Sequence, residues 1–199
     1  MIFRDPFNFF NEFFEHVIFK IRSIYLNSNY YDKKISKINS NNLIYKPSPH
    51  LLSSLIKYQT KKINVEEIST QNLWDRKNFL FQEFERLNNF YWFFSLDLKS
   101  SKKKTQKIVN DWIKINFKFN SESWKFKLVS KRIIAWLSNH KLTIGENDEV
   151  YQSQFNMMIK KQANHLINEI NKLKNVDEKI IGCSAIILVG LCYKDGKNY

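Results

Sequence analysis

The sequence predicts an all-α protein built from antiparallel helical hairpins, and three observations support this fold class. From Leu73 onward, apolar residues recur every three or four positions, which is the period of an amphipathic helix. Ser, Asp and Asn residues, which favour helix starts, precede several of these apolar runs. No stretch shows the strict alternation of a half-buried strand, and the turns between the runs are short.

Residues 1–70 are predicted to form an irregular appendage that begins with an aromatic helix. Asp5-Pro6 is a capping residue followed by proline at the first helical turn, which favours a helix within Met1–Ile24. The remainder of the appendage is weakly patterned. We expect it to pack on residues 71–199, which form the predicted helical domain.

The domain begins with two predicted helices. An aromatic run between Leu73 and Phe94 places apolar side chains at steps of two to four, so most of this helix should be buried. Ser100-Ser101 then caps a second helix, whose apolar stripe runs from Ile108 to Phe117.

Two further helices follow in the domain. Ser121 or Ser123 opens the first of them, and Gly145 ends that unit. Asn147 or Asp148 caps the second. The residues that we expect to face the core in these two helices are Leu128, Val129, Ile133, Trp136, Leu137, Phe155, Met158, Ile159, Ala163, Leu166, Ile167 and Ile170.

The last predicted helix runs from Ile180 to about Tyr193 and is capped by Asp177. Because it is apolar nearly all round, we expect it to be the most buried helix. Cys183 and Cys192 lie in it and are predicted to be inert buried thiols. Glycine and serine interrupt this run, which is shorter than the roughly 20 residues that a membrane-spanning helix needs. The sequence therefore predicts no transmembrane segment.

The charge balance points to a polyanionic partner. Among 199 residues, 32 are basic and 19 are acidic, which gives a net charge of +13 at pH 7. Such an excess favours nucleic acid, an anionic membrane or an acidic polysaccharide, but an AT-rich coding sequence produces the same lysine bias without function. No disulfide framework, zinc site or cofactor is expected, because two Cys and four His show no suitable spacing.

A series of landmarks follows a recognisable order along the domain. They are Phe90-Tyr91-Trp92, Asp111-Trp112-Ile113, Trp124, Ser130–Leu137, Gln162–Leu166 and Gly190-Leu191-Cys192. The Arg-Ile-x-x-Trp unit that contains Arg132 and Trp136 is the most specific of them. In this order, over about residues 73–193, the chain resembles the N-terminal helical region of the heparinase II/III family of polysaccharide lyases.

The resemblance implies a partial α/α toroid, since family members have an α/α toroid followed by a β-sandwich domain. They cleave uronic-acid polysaccharides by β-elimination. It also implies that the rest of the toroid, the β-sandwich and the family's catalytic Tyr and His lie beyond this chain. Family members act on extracellular or envelope polysaccharide, whereas polar residues interrupt the N-terminal apolar stretch here and no signal peptide is predicted. The compartment stays open between cytoplasm and cell envelope.

β-Elimination requires a base, an acid and a group that neutralises the uronate carboxylate. His165 and Asn164 are the candidate catalytic residues, because they resemble the family's Asn-His pair, although they lie one helix earlier. The candidate glycan-binding residues are Arg132, Trp136, Lys131, Trp92 and Trp124. A guanidinium binds a carboxylate through two parallel N–H hydrogen bonds, and an indole stacks on a sugar ring. The alternative is structural, with the tryptophans in the core, Arg132 on its rim and His165 as an ordinary helix histidine.

Two functions from different classes follow from these observations. The first is a heparinase II/III-like, lyase-type module that holds an acidic, uronate-containing glycan and is incomplete or non-catalytic as this chain. The alternative is a basic all-α module that binds nucleic acid or a protein partner, although no nucleic-acid motif accompanies the charge. A truncated gene product without activity of its own is a third interpretation. Whether the chain is an enzyme stays open, because the family's acid/base segment is not in it.

Overall fold

The chain is all-α throughout the part that the computed structural model describes, as the sequence predicts. The described residues are 6–37, 43–47, 64–96, 99, 101–144 and 148–193, with side chains from Phe13 onward. They contain eight α-helices and no extended strand; an isolated antiparallel bridge joins Leu43 to Tyr193. Four residues that the sequence assigns to helix ends, Asp5, Ser100, Gly145 and Asn147, lie outside the described ranges.

The helices are α1 (Pro6–Leu26), α2 (Asn29–Ile35), α3 (Phe81–Asn88), α4 (Lys102–Ile115), α5 (Phe126–Ser138), α6 (His140–Thr143), α7 (Glu149–Glu169) and α8 (Val176–Cys192). Short 3-10 turns lie at Val65–Glu67, Arg76–Asn78, Tyr91–Ser95 and Ile170–Lys172. None of the described helices combines the length and the hydropathy needed to cross a bilayer.

Helix α5 is the centre of the core. Eleven of its thirteen residues are buried, and it packs on α7, α8 and the 3-10 turn Tyr91–Ser95. Trp136 of α5 meets Phe90 and Trp112 edge to face, with ring centroids 5.1 Å and 5.4 Å away. Because edge-to-face aromatic pairs add to the energy of simple burial, this cluster stabilises the junction of three elements.

The aromatic run that the sequence predicts as one helix is divided into three pieces, so that prediction is wrong. Helix α3 ends at Asn88, and Phe90 then adopts a left-handed conformation with φ 58°. Such a φ is costly for a bulky residue. The Phe90 ring is fully buried against Trp74, Phe93 and Trp136, and this packing offsets the cost of the turn.

Two predicted helix caps are confirmed. The Ser101 hydroxyl accepts a hydrogen bond from the Lys104 N–H at 3.2 Å and starts α4. The Asp148 carboxylate accepts from the Tyr151 N–H at 2.9 Å and starts α7. Both satisfy backbone donors that have no partner within the first turn.

Two other predicted helix starts are wrong. Helix α5 begins at Phe126 rather than at Ser121 or Ser123, because the Ser123 hydroxyl donates instead to Asn116 Oδ1 at 2.6 Å. Asn175, and not Asp177, caps α8 by accepting from the Glu178 N–H at 3.2 Å.

The second helix of the N-terminal region packs on α7. Asp32 accepts from Lys161 Nζ at 2.6 Å, and the Ile35 carbonyl accepts from Asn164 Nδ2 at 2.8 Å. A third bond joins the Tyr31 hydroxyl to His165 Nδ1 at 2.7 Å. Three residues of α7, spaced within about one helical turn, therefore hold α2 in place.

The last helix, α8, is buried on one face only, which corrects the expectation that it would be the most buried. Its buried residues are Gly182, Ala185, Val189 and Cys192. At Gly182 an added Cβ would lie 2.3 Å from Phe126 Cζ, so a residue without a side chain is required for this close contact with α5. Cys183 is exposed, contrary to prediction, whereas Cys192 is buried, which raises the pKa of its thiol to about 12.

Candidate functional site

Two of the predicted glycan-binding residues, Arg132 and Trp136, lie in the core. Both side chains are fully buried. The Arg132 guanidinium donates to Asn88 O at 2.8 Å, to Ser123 O at 3.1 Å and to Gln162 Oε1 at 3.1 Å. In this arrangement they present no open face to a sugar.

Arg132 has uncharged hydrogen-bond acceptors, and its guanidinium carbon lies 3.9 Å from the centroid of the Trp112 ring. Burial lowers the pKa of Arg132, because the charged form loses its hydration. Interactions with the carbonyl oxygens and with the aromatic face compensate in part for the lost hydration. These contacts tie α5 to the end of α3 and to the segment that precedes α5.

The other two tryptophans donate to backbone carbonyls. Trp124 is buried, and its Nε1 donates to Asn116 O at 3.0 Å. Trp92 is half-buried, and its Nε1 donates to Leu87 O at 3.2 Å. The Trp124 bond ties the segment before α5 to the end of α4, and the Trp92 bond ties the 3-10 turn Tyr91–Ser95 to α3.

His165 is enclosed by aromatic rings. Trp124, Phe119 and Tyr31 surround it, with ring centroids 5.6 Å, 5.6 Å and 6.0 Å from the imidazole. Burial lowers the pKa of His165 to about 4, and this outweighs the opposing effect of Glu169. Burial also raises the pKa of Tyr31, so its hydroxyl stays protonated and shares a hydrogen bond with Nδ1 of the neutral imidazole.

The candidate site is a pair of adjoining cavities along the N-terminal half of α5, which we call the basic groove. The larger cavity has a volume of about 610 Å³ and the smaller about 210 Å³. They share Glu85, Lys127 and Leu128 as lining residues. Trp124 and His165 line the larger cavity and Lys131 lines the smaller, so the groove brings three of the predicted site residues together.

The smaller cavity has an excess of positive charge. Arg86, Lys127 and Lys131 line it together with Glu85. The Glu85 carboxylate is already paired with Lys125 Nζ at 2.9 Å. Burial lowers the pKa of Lys131, and repulsion from Lys127 one turn earlier lowers it further. The cluster therefore favours an anionic ligand.

In the larger cavity the charges are more nearly balanced. Glu169 is almost completely buried and forms ion pairs with Arg22 and with Lys172, the latter at 2.7 Å. Burial opposes ionisation of Glu169, but the hydrogen bonds from Lys172 and Arg22 outweigh it and lower its pKa. This network joins α1 to the end of α7 beside His165.

Sequence reasoning missed most of the basic residues of the groove. Lys127 and Lys131 are four residues apart on one helix, so their shared face was visible in the sequence. Arg86 and Arg22 come from α3 and α1, and only tertiary packing brings them to α5. Asn164, predicted as a catalytic residue, lies outside both cavities and donates to Ile35 O.

Within the described ranges, no three His, Cys, Asp or Glu side chains come together as metal ligands would. The chain matches no protein-family model, and neither a curated protein nor a solved structure matches it. The resemblance to the heparinase II/III family therefore stays a hypothesis.

Proposed function

We propose that this chain binds an extended acidic glycan, of the uronate-containing class, along the basic groove. The observation that carries the proposal is the charge of the smaller cavity. Arg86, Lys127 and Lys131 converge there, and Glu85, the acidic residue beside them, is already engaged by Lys125. A carboxylate in this cavity would relieve the repulsion between the two lysines.

An elongated ligand fits two cavities in series better than a compact anion does. The Lys131 ammonium lies 4.9 Å from the centroid of the Tyr91 ring, so an aromatic side chain flanks the charged cluster. Carbohydrate recognition combines apolar ring faces with charged groups that orient carboxylates. The sequence landmarks that resemble those of the heparinase II/III family favour a uronate as the repeating acid. On the same resemblance we propose that the helices form part of an α/α toroid.

The proposed role is binding without turnover by this chain alone. A base with a pKa of about 4 removes a carbon-bound proton poorly, and the imidazole of His165 is already hydrogen bonded to Tyr31. His165 accordingly acts as part of the packed floor of the larger cavity. We expect no formation of unsaturated uronate product, measured by ultraviolet absorbance.

The test compares two double variants that remove the same charge. Lys127→Ala with Lys131→Ala removes two cations from the groove, and Lys103→Ala with Lys114→Ala removes two from α4. Binding of a uronate oligosaccharide is measured by calorimetry at low salt. We expect the groove variant to bind at least about tenfold more weakly, which is 1.4 kcal/mol, and the α4 variant to bind like the parent.

Two outcomes would contradict the proposal. Equal losses in both double variants would mean that net charge, and not the groove, attracts the glycan. Duplex DNA binding that exceeds oligosaccharide binding and depends on the same two lysines would assign the groove to nucleic acid. Circular dichroism of each variant checks that the helices are retained.

A further inference from the structure

Helix α8 carries an apolar face that nothing in the described part of the chain covers. Four large side chains are more than half exposed: Val176 (66%), Ile180 (59%), Ile187 (61%) and Leu191 (63%). Cys183 and Ser184 are exposed between them. These six residues are called the α8 stripe.

The stripe is held rigidly. The opposite side of α8 packs on α5 through Gly182, Ala185 and Val189, and the contact of Gly182 with Phe126 leaves no room for a methyl group. The α8 stripe contains no charged residue, and the Ser184 hydroxyl is satisfied by donating to Ile180 O at 2.9 Å. It is therefore a preformed, uncharged surface about 25 Å long, at 1.5 Å for each residue of α8.

We propose that the α8 stripe is covered by the α8 stripe of a second copy of this chain, in an antiparallel pair with two-fold symmetry. The argument is the spacing of the exposed residues. They lie symmetrically about the midpoint between Cys183 and Ser184. In an antiparallel pair centred there, Val176 faces Leu191 of the other copy and Ile180 faces Ile187 of the other copy. Each exposed apolar residue thus meets another, as an isologous interface requires.

Charge selects the antiparallel direction. Asp177 lies exposed in the first turn of α8, beside the α8 stripe. A parallel pair would bring the Asp177 carboxylates of the two copies close together, where they repel. The antiparallel pair separates them by about 20 Å, beyond the screening length at physiological ionic strength, and also opposes the two helix dipoles favourably.

Small residues lie at the crossing point. Cys183 faces Ser184 of the other copy there, which permits close approach of two helices. The arrangement also places the two Cys183 thiols within one residue of each other along the axis. Cys192, the other thiol, is buried on the opposite face of α8.

The first experiment measures mass by sedimentation velocity over a range of concentrations. We expect a species of about 48 kDa, twice the 24.0 kDa of one chain. Ile187→Glu introduces a charge into the α8 stripe and should weaken the dimer at least about tenfold. Ile115→Glu is the matched control, because Ile115 is 64% exposed on α4 and lies outside the stripe. It should leave the dimer unchanged.

The second experiment tests the proximity of the two Cys183 thiols in the proposed helix pair. It does not require a charged variant to fold. Diamide oxidises two thiols to a disulfide, taking up their two protons and two electrons as it is reduced to the hydrazine. We expect rapid cross-linking of the parent chain and none in Cys183→Ser. Ile115→Cys in the Cys183→Ser background, which places an exposed thiol outside the α8 stripe, should cross-link only at the slow rate of random collision.

The proposal is overturned if the parent chain is monomeric at submillimolar concentration. It is also overturned if Ile187→Glu and Ile115→Glu dimerise equally, or if Cys183 cross-links no faster than the control thiol. Ile187 and Cys183 do not line the basic groove, so these outcomes are independent of glycan binding.

Discussion

Arg132 is a buried cation whose hydrogen bonds go to uncharged groups. Its guanidinium joins the Asn88 and Ser123 carbonyls to the amide of Gln162. Removing one partner from such a network leaves buried polar atoms without hydrogen bonds, and each of them carries a desolvation cost. We therefore expect the stability of the fold to fall with each N–H donor that a substitution removes from residue 132.

We predict that Arg132→Met lowers the free energy of unfolding by roughly 2–5 kcal/mol, because three acceptors lose their donor. Arg132→Lys keeps the charge but cannot fork, so it should lose less than Arg132→Met while remaining clearly destabilised. Lys131→Ala, one residue away and half-buried, is the control, with an expected change below about 1 kcal/mol. Urea denaturation measures all three. Unchanged stability of Arg132→Lys together with weaker glycan binding would instead favour a direct role in the ligand site.

His165 gives the fold a pH dependence at mildly acidic pH. Its pKa is about 4 in the folded chain and 6.5 in the unfolded chain, so the unfolded chain takes up a proton first as the pH falls. Stability is therefore fully present above pH 6.5 and is lost as the pH falls to about 4. The loss amounts to roughly 3 kcal/mol.

We predict that His165→Gln flattens this dependence between pH 6.5 and about 4, because glutamine can form a hydrogen bond with Tyr31 without titrating. Thermal melts across that pH range provide the measurement. The lowered pKa of Glu169 acts in the same direction at more acidic pH, and its contribution stays in the variant. A parent-like slope in His165→Gln would assign the dependence to carboxylates.

At the scale of helices, the sequence predicted correctly those features that depend on the spacing of nearby residues. Helices α4, α5 and α7 follow the predicted apolar stripes, since a 3.6-residue period is set by neighbouring residues, except that Ile167 of α7 is exposed. The break at Phe90 was not predictable, because a left-handed phenylalanine is stabilised by rings from distant segments. The exposure of α8 was missed for a similar reason: an all-round apolar helix does not reveal which of its faces has a neighbour.

The close approach of α8 to Phe126 of α5 depends on the glycine at position 182. We predict that Gly182→Ala lowers the free energy of unfolding by about 1–3 kcal/mol, because its Cβ would lie 2.3 Å from Phe126 Cζ. Phe126→Leu shortens the opposing side chain, so the double variant should lose less than the sum of the two single changes. Ser184→Ala, on the exposed side of α8, should change stability by less than about 0.5 kcal/mol. Strict additivity in the cycle would mean that α8 shifts away from Phe126 without cost.

At the scale of the whole molecule, the net charge of +13 predicted a polyanionic partner but not its location. Sequence spacing found Lys131, Trp124 and His165, which line the groove, and also Arg132 and Trp136, which do not. The groove-lining residues differ from Arg132 and Trp136 in their position relative to the core. That position depends on which helices pack around α5, which the sequence spacing does not show. Charge and apolar exposure, in contrast, mark separate surfaces: the basic groove, the α8 stripe and an apolar face of α1, on which Phe14, Phe19 and Ile24 are 66%, 70% and 73% exposed.

Binding at the basic groove and pairing through the α8 stripe should respond to salt in opposite directions. The proposed binding of a glycan in the groove would join opposite charges, so added salt should screen the attraction and weaken the binding. Self-association through the uncharged α8 stripe brings together two chains of +13 each, so added salt screens a repulsion and strengthens it. We predict that raising the salt from about 10 to about 100 mM, which shortens the screening length from about 30 to about 10 Å, weakens glycan binding and tightens the dimer. Calorimetry and sedimentation on the same preparation measure both, with a neutral osmolyte as the control. If salt weakened both processes, a polyanion bridging two copies would explain the dimer better than the α8 stripe does.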